Sequence, residues 1–130
     1  MQEVDLMNKD EFMIWGRRFN LSVQYDCYEN EDILPIQIDA LEVFKREADT
    51  LLSSDQEVKR YCLENHKAEI GGSIDNIFKY VIPDSIFIKR SKVKHIVALM
   101  CNDKFDLEHG IAIVFENEKL TQIGTQDIIL

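Results

Sequence analysis

KHIVALMCNDKFDLEHGIAIVFENEKLTQIGTQDIIL, from Lys94 to Leu130, is the stretch that decides the fold of this chain. Ile96 to Cys101 is a short unbroken apolar run, as expected of a buried strand. Ile111 to Phe115 and Leu120 to Ile123 read as two more strands, and Ile128 to Leu130 as either a final edge strand or a docked tail. Glu116-Asn117-Glu118-Lys119 supplies a two-residue hairpin turn in which Asn117 takes the left-handed conformation, while Glu118 stands where glycine is easiest. The first two strands are joined by a loop, Asn102 to Gly110, that holds Asp103, Asp106, Glu108 and His109.

Upstream of this meander, Pro83-Asp84 is a turn signal, and Ile86 and Ile88 form a short strand. Lys89, Arg90, Lys92 and Lys94 cluster on the connection that follows and read as a solvated turn. Farther back the apolar spacing becomes helical. From Pro35, which suits a first helical turn because its missing N–H costs nothing there, Gln37, Ala40, Leu41, Phe44, Ala48, Leu51 and Leu52 share one stripe. Ser54-Asp55-Gln56-Glu57 is a capping-box pattern opening a second helix to about His66, with Val58, Tyr61, Cys62 and Asn65 on one side. Gly71-Gly72 breaks the chain. Ile74, Ile77, Phe78 and Val81 then suggest a short third helix capped by Ser73, although the same residues suit a strand.

Near the start, Phe12 to Gly16 and Phe19 to Cys27 read as two strands around a Gly16-Arg17-Arg18 turn. Phe19, Leu21, Val23 and Tyr25 alternate with Asn20, Ser22, Gln24 and Asp26, the period of two of a half-buried strand. Trp15 is expected to anchor the core, its indole N–H meeting a local acceptor. Tyr28 to Leu34 is a polar connection. The reading is therefore α+β: one domain over residues 1–130, with a mainly antiparallel sheet of five or six strands covered on one face by two or three central helices.

Composition bounds the partners. Twenty-four acidic residues against 15 basic ones give a formal charge of −9, which repels nucleic acid and favours a basic protein partner. Cys27, Cys62 and Cys101 are widely separated, with no C-x-x-C and no metal-ligand spacing, so they are expected reduced in the cytoplasm. The opening MQEVDLMNKDEF has neither a basic start nor an apolar h-region, so no signal peptide is expected. Runs such as IVALMC fall far short of the roughly 20 residues that span a membrane.

The chemistry concentrates in the Asp103 to His109 loop, where carboxylates beside an imidazole suit acid-base work or divalent metal binding. The loop lacks the central glycine and spacing of a calcium loop, and His66 and His95 cannot be brought to His109 from sequence. The structural reading is preferred: Gly110 takes positive φ at a bulge, and Asp103 and Glu108 accept backbone N–H bonds. Gly71-Gly72-Ser73 offers amides to an anion but lacks the lysine and spacing of a P-loop. No catalytic residue, metal site or cofactor is assigned.

Gln37, Ala40 and Leu41 in the first helix, with Glu108, His109, Gly110, Asn117, Lys119, Gly124, Gln126 and Asp127 at the end, are the positions that match a pattern of Q-x-x-A-L, E-H-G, N-G-K and G-x-Q-D. This pattern resembles a family of small, functionally uncharacterised bacterial domains, over about half the chain. The chain departs from it at Glu118, in place of the turn glycine, and at Cys101 before the loop. Some members look like immunity proteins encoded beside toxins. The resemblance thus implies a non-enzymatic binding protein that masks a basic toxin. The alternative is a metal-assisted hydrolase or small-ligand enzyme built on the Asp103 to His109 loop. A homo-oligomer pairing through an edge strand is a third possibility.

Overall fold

The computed structural model describes residues 9–51 and 55–130, without the side chains of 48–51. The α+β expectation holds. Six strands, β1 (Lys9–Ile14), β2 (Arg17–Tyr25), β3 (Val81–Ile88), β4 (Ile96–Asp103), β5 (Asp106–Glu116) and β6 (Lys119–Gly124), lie side by side in chain order. Every neighbouring pair is antiparallel except β2 and β3, which run parallel from Ser22 opposite Ser85 to Tyr25 opposite Ile88. A parallel pair needs a crossover rather than a hairpin. Helices α1 (Pro35–Leu51) and α2 (Asp55–Ile70) supply it.

The first hairpin turns one residue earlier than its sequence suggests. Ile14 pairs with Arg17, so Trp15 and Gly16 are the turn residues, at φ 49° and 80°. A two-residue hairpin of this hand needs positive φ at both central positions. Trp15 is therefore outside the strand and half-buried against Phe78, with ring centroids 5.6 Å apart. Its indole N–H is buried with no acceptor among the described residues, contrary to the expectation of a local partner.

The helical face of the sheet is the main core. On α1, Gln37, Ala40 and Phe44 are buried at spacings of three and four, as the stripe requires; Leu52 and the side chains of Ala48 and Leu51 lie outside the described residues. Phe44 sits between Phe12 of β1 and Phe115 of β5, with centroids 6.1 and 5.7 Å away. Truncating so enclosed a ring costs about 3–5 kcal/mol. On α2, Val58 and Cys62 are buried, whereas Asn65 is exposed and donates to the Tyr61 carbonyl at 2.8 Å. Ser54, the expected capping residue, lies outside the described residues.

Between α2 and β4 the structure corrects two expectations. The third helix is only a 3-10 turn, Ile77–Lys79, and its cap is Asn76, whose side chain accepts from the Phe78 N–H, rather than Ser73. Val81 already belongs to β3, and Pro83-Asp84 lies inside that strand. A register shift between Pro83 and Ser85 accommodates the proline, which cannot donate to a regular ladder.

The opposite face of the sheet carries a smaller apolar cluster of Ala98, Met100, Ala112 and Val114. The end of the chain covers it as a docked tail, not as a strand. A 3-10 turn at Gln126–Ile128 leads to Ile129, 6% exposed, whose carbonyl accepts from Lys89 Nζ at 3.0 Å. The sheet is thus covered by helices on one face and in part by this tail on the other. At the last hairpin Asn117 and Glu118 take φ 49° and 65°, so a glutamate does adopt the glycine-like conformation.

Candidate functional site

The segment expected as a loop is a hairpin. Asp103 ends β4, Lys104 and Phe105 turn, and Asp106 opposite Asp103 begins β5. Between that pair and the next one, Cys101 with Ile111, β4 contributes Asn102 alone while β5 contributes residues 107–110, so the ladder is broken by a large bulge. Gly110 closes the bulge at φ 63°. A Cβ there would stand 2.7 Å from the Cys101 carbonyl oxygen and 2.5 Å from Gln126 Nε2. That amide donates to the Cys101 carbonyl at 2.9 Å, satisfying an acceptor at the edge of the bulge. Gly110 and Gln126, both in the pattern that carries the family resemblance, are therefore two parts of one closure.

Asp103 has a second task. It is 2% exposed; one carboxylate oxygen accepts from the Phe105 N–H at 3.0 Å, and the other lies 2.8 Å from His66 Nε2. His66 has non-helical angles, φ −133° and ψ 33°, so α2 kinks where its imidazole reaches across to the hairpin. An ionised carboxylate only accepts, so the proton of this contact sits on Nε2. That leaves Nδ1, which has no partner among the described residues, as the free face of an oriented imidazole. Phe105 packs 5.1 Å from the ring and stacks in turn on Tyr80 at 5.6 Å. The arrangement is one a general base would use, and it is equally a tie that pins α2 to the sheet.

No activated thiol accompanies it. Burial, with the Asp103 charge, pushes the Cys62 thiol up to about 12, and burial also raises Cys101. A thiol so far above neutrality is a poor nucleophile. Tyr61 is likewise raised by burial and by the nearby carboxylates of Asp103 and Asp106.

The remaining residues of the segment do not converge on this dyad. Asp106 turns to its own strand, accepting from the His109 N–H at 3.3 Å and contacting His109 Nδ1 at 2.9 Å. The His109 imidazole holds Asp106 below the usual carboxylate range, and Asp106 in turn raises His109. Both face solvent. Glu108 is exposed and makes none of the backbone bonds expected of it. Among the described residues no three His, Cys, Asp or Glu side chains come together as metal ligands.

His95 lies elsewhere, just before β4, between Asp39 of α1 (Nε2 to Oδ2, 3.0 Å) and Glu118 of the last turn (Nδ1 to Oε2, 2.6 Å). Burial opposes its charge, but the hydrogen bonds and charges of Glu118 and Asp39 outweigh it and raise its pKa.

A different surface was hidden in the polar connection after β2. Tyr28 is 78% exposed, with Ile33, Ile38 and Val93 also open to solvent. The loop is held rather than loose. Glu31 accepts from the Tyr28 N–H at 2.9 Å, Cys27 Sγ donates to the Glu31 carbonyl at 3.0 Å, and Arg90 reaches the Asp32 carbonyl at 3.0 Å and Glu31 at 3.7 Å. Three of the four residues of the basic cluster are engaged: besides Arg90, Lys94 pairs with Glu116 at 2.6 Å and Lys89 approaches Asp26 at 3.9 Å, while Lys92 is exposed. Behind the loop, the buried Gln37 side chain donates to the Asp26 and Ile88 carbonyls and accepts from the Leu34 N–H. Glu29 and Asp32, which follow Tyr28 in sequence, are exposed on the same loop.

Two clefts run along α2. One, about 340 Å³, lies against β6 and is lined by Glu57, Tyr61 and Leu120 among others; the other, about 660 Å³, faces the Gly71-Gly72-Ser73 segment. Neither is lined by residues of the Asp103 to His109 hairpin. No helix among the described residues is long and apolar enough to cross a membrane. No curated protein and no solved structure matches the chain. A family model does match, over residues 4–130, and the chain belongs to that family, the domain of unknown function DUF6985.

Proposed function

We propose that this protein is a non-enzymatic, cytoplasmic binding module of bacterial origin that recognises a basic protein, with immunity against a toxin as its biological form. The observation that carries the reading is the ordered acidic-aromatic surface around Tyr28. Aromatic side chains dominate interface energetics when they are presented rigidly, because little entropy is lost on docking. Tyr28 stands on a loop fastened by hydrogen bonds and an Arg90 ion pair, and Ile33 and Val93, on the two loops so tied, are also exposed. The formal charge of −9 steers a cationic partner and disfavours nucleic acid. Free cysteines accord with a reducing compartment.

Co-expression with the product of the adjacent gene tests this. A stable complex and rescue from toxicity, both weakened by Tyr28→Ala together with Glu29→Lys, are the expected results. Failure of the wild-type chain to form a complex or to rescue would end the immunity reading.

A second reading, a small-ligand enzyme, draws on one observation, the Asp103-oriented imidazole of His66. It requires an activity lost in His66→Gln while the fold is kept. An unchanged activity in that variant would remove it.

A further inference from the structure

The larger cleft along α2 has a charge opposite to that of the molecule. Its walls carry Lys59, Arg60 and Lys67 against the single carboxylate of Glu64, in a chain whose formal charge is −9. Residues 56, 59, 60, 63, 64 and 67 recur at helical spacing, so one side of α2 forms a continuous wall. The opposite wall is the segment from Gly71 to Ile74, which follows the kink at His66 and the helix end at Ile70; Gly71 takes φ 97°, and its N–H makes the last helical bond, to the Lys67 carbonyl at 2.9 Å. Side chains added at Gly71 or Gly72 would meet nothing within 4 Å, so the backbone edge is open to the cleft. The N–H groups of Gly72 and Ser73 and the Ser73 hydroxyl have no partner among the described residues. Leu63 and Ile74 give the cleft an apolar floor.

We propose that this cleft binds a small organic phosphate. The dianionic head lies among Lys59, Arg60, Lys67 and the Gly72-Ser73 amides, and the apolar or planar body covers Leu63 and Ile74. Several observations combine here. Lysine and arginine neutralise a phosphate better than a lone carboxylate, because it brings more than one charge and three acceptor oxygens. Glycine backbone without side chains lets an anion reach N–H groups directly. At about 660 Å³ the cleft falls within the size range of small-molecule sites. Lys59 is only loosely held by Asp55, at 4.0 Å, and so can turn to a ligand. The cleft shares no lining residue with the Tyr28 surface, so it stands or falls independently of the partner reading.

The test is calorimetric titration of the full chain in low-salt buffer with AMP, adenosine and inorganic phosphate. AMP is expected to bind at least about tenfold more tightly than adenosine or inorganic phosphate, with affinity falling as salt is raised. In the Lys59→Gln/Lys67→Gln chain, AMP affinity should drop about tenfold or more with an unchanged urea midpoint. In the wild-type chain, amide NMR shifts on adding AMP should centre on Gly72 and Ser73, a readout that needs no variant. AMP binding no tighter than adenosine, AMP binding undiminished in the double variant, or shifts centred elsewhere would each overturn the proposal. Inorganic phosphate binding as tightly as AMP would overturn the role given to the apolar floor.

Discussion

Gln37→Ala should be among the most damaging single changes outside the aromatic core. The Gln37 side chain is 1% exposed and makes three hydrogen bonds: it accepts from the Leu34 N–H at 2.9 Å and donates to the Asp26 and Ile88 carbonyls at 3.1 and 3.2 Å. Ile88 loses little, because its carbonyl also accepts from the Asp26 N–H at 2.9 Å. Leu34 N–H and the Asp26 carbonyl are left without those partners, at about 1–3 kcal/mol each. Lost packing of the side chain adds about 1 kcal/mol more, so the total is about 3–7 kcal/mol. With a urea dependence of about 2 kcal/mol per molar, the unfolding midpoint falls by about 1.5–3.5 M. Gln37→Glu is the sharper companion, since it keeps the volume and the acceptor but replaces the donor amide with a carboxylate facing two carbonyls. Its loss should exceed that of a surface Gln→Glu change and should shrink on acidification, as the acid form regains a donor. A midpoint shift under about 0.3 M for Gln37→Ala would refute the view that this side chain locks the α1 start to the parallel strand pair.

Gly110→Ala combines a left-handed backbone with close contacts to the Cys101 carbonyl and Gln126, so a loss of about 2–4 kcal/mol is expected in urea unfolding, and Gln126→Ala should relieve only part of it. Asp103→Ala leaves the Phe105 N–H and the His66 Nε2 proton without their acceptor and should cost about 2–4 kcal/mol, whereas Asp103→Asn, which keeps an acceptor for Phe105, should cost less than half as much; equal losses would contradict the assignment. His95 has a raised pKa, so its charged form is favoured by the fold: that stability is complete below the ordinary value of 6.5 and is lost as pH rises through the elevated folded value. Urea midpoints measured across that window should fall with pH more steeply in the wild-type chain than in His95→Asn. In a thiol-reagent assay, half-exposed Cys27 should react in the native protein while buried Cys62 and Cys101 wait for denaturant.

Much of the fold was legible because local signals and burial agreed. Leu21 and Val23 alternate with polar neighbours and are buried; Ala40 and Phe44 keep helical spacing and are buried; Asn117 marks a turn that forms even with Glu118 beside it. What was not legible depended on partners distant in sequence or on unusual backbone. Tryptophan has no preference for positive φ, so nothing in FMIWG announces Trp15 as a turn residue. Pro83-Asp84 carries the composition of a turn, but pairing with β4 draws it into a strand through a bulge. Ile77 and Phe78 suit helix or strand equally, and the structure gives them a single 3-10 turn. The candidate residues Asp103, Asp106, Glu108 and His109 divide between a buried tie, a solvent-facing pair and an exposed carboxylate. His66, 37 positions from Asp103, could be placed only by the kink in α2. Tyr28 was overlooked because a polar loop gives no sign of which side chain it will hold outward.

The most direct test of the binding reading is the affinity of the full chain for the adjacent gene product, measured by calorimetry for the wild type and for Tyr28→Ala. The account predicts tight binding that loses about 2 kcal/mol or more, at least about thirtyfold, on removal of the Tyr28 ring, with no change in the urea midpoint. Equal affinity in the two proteins would contradict the Tyr28 surface, and no binding by the wild type would contradict the function proposed for it.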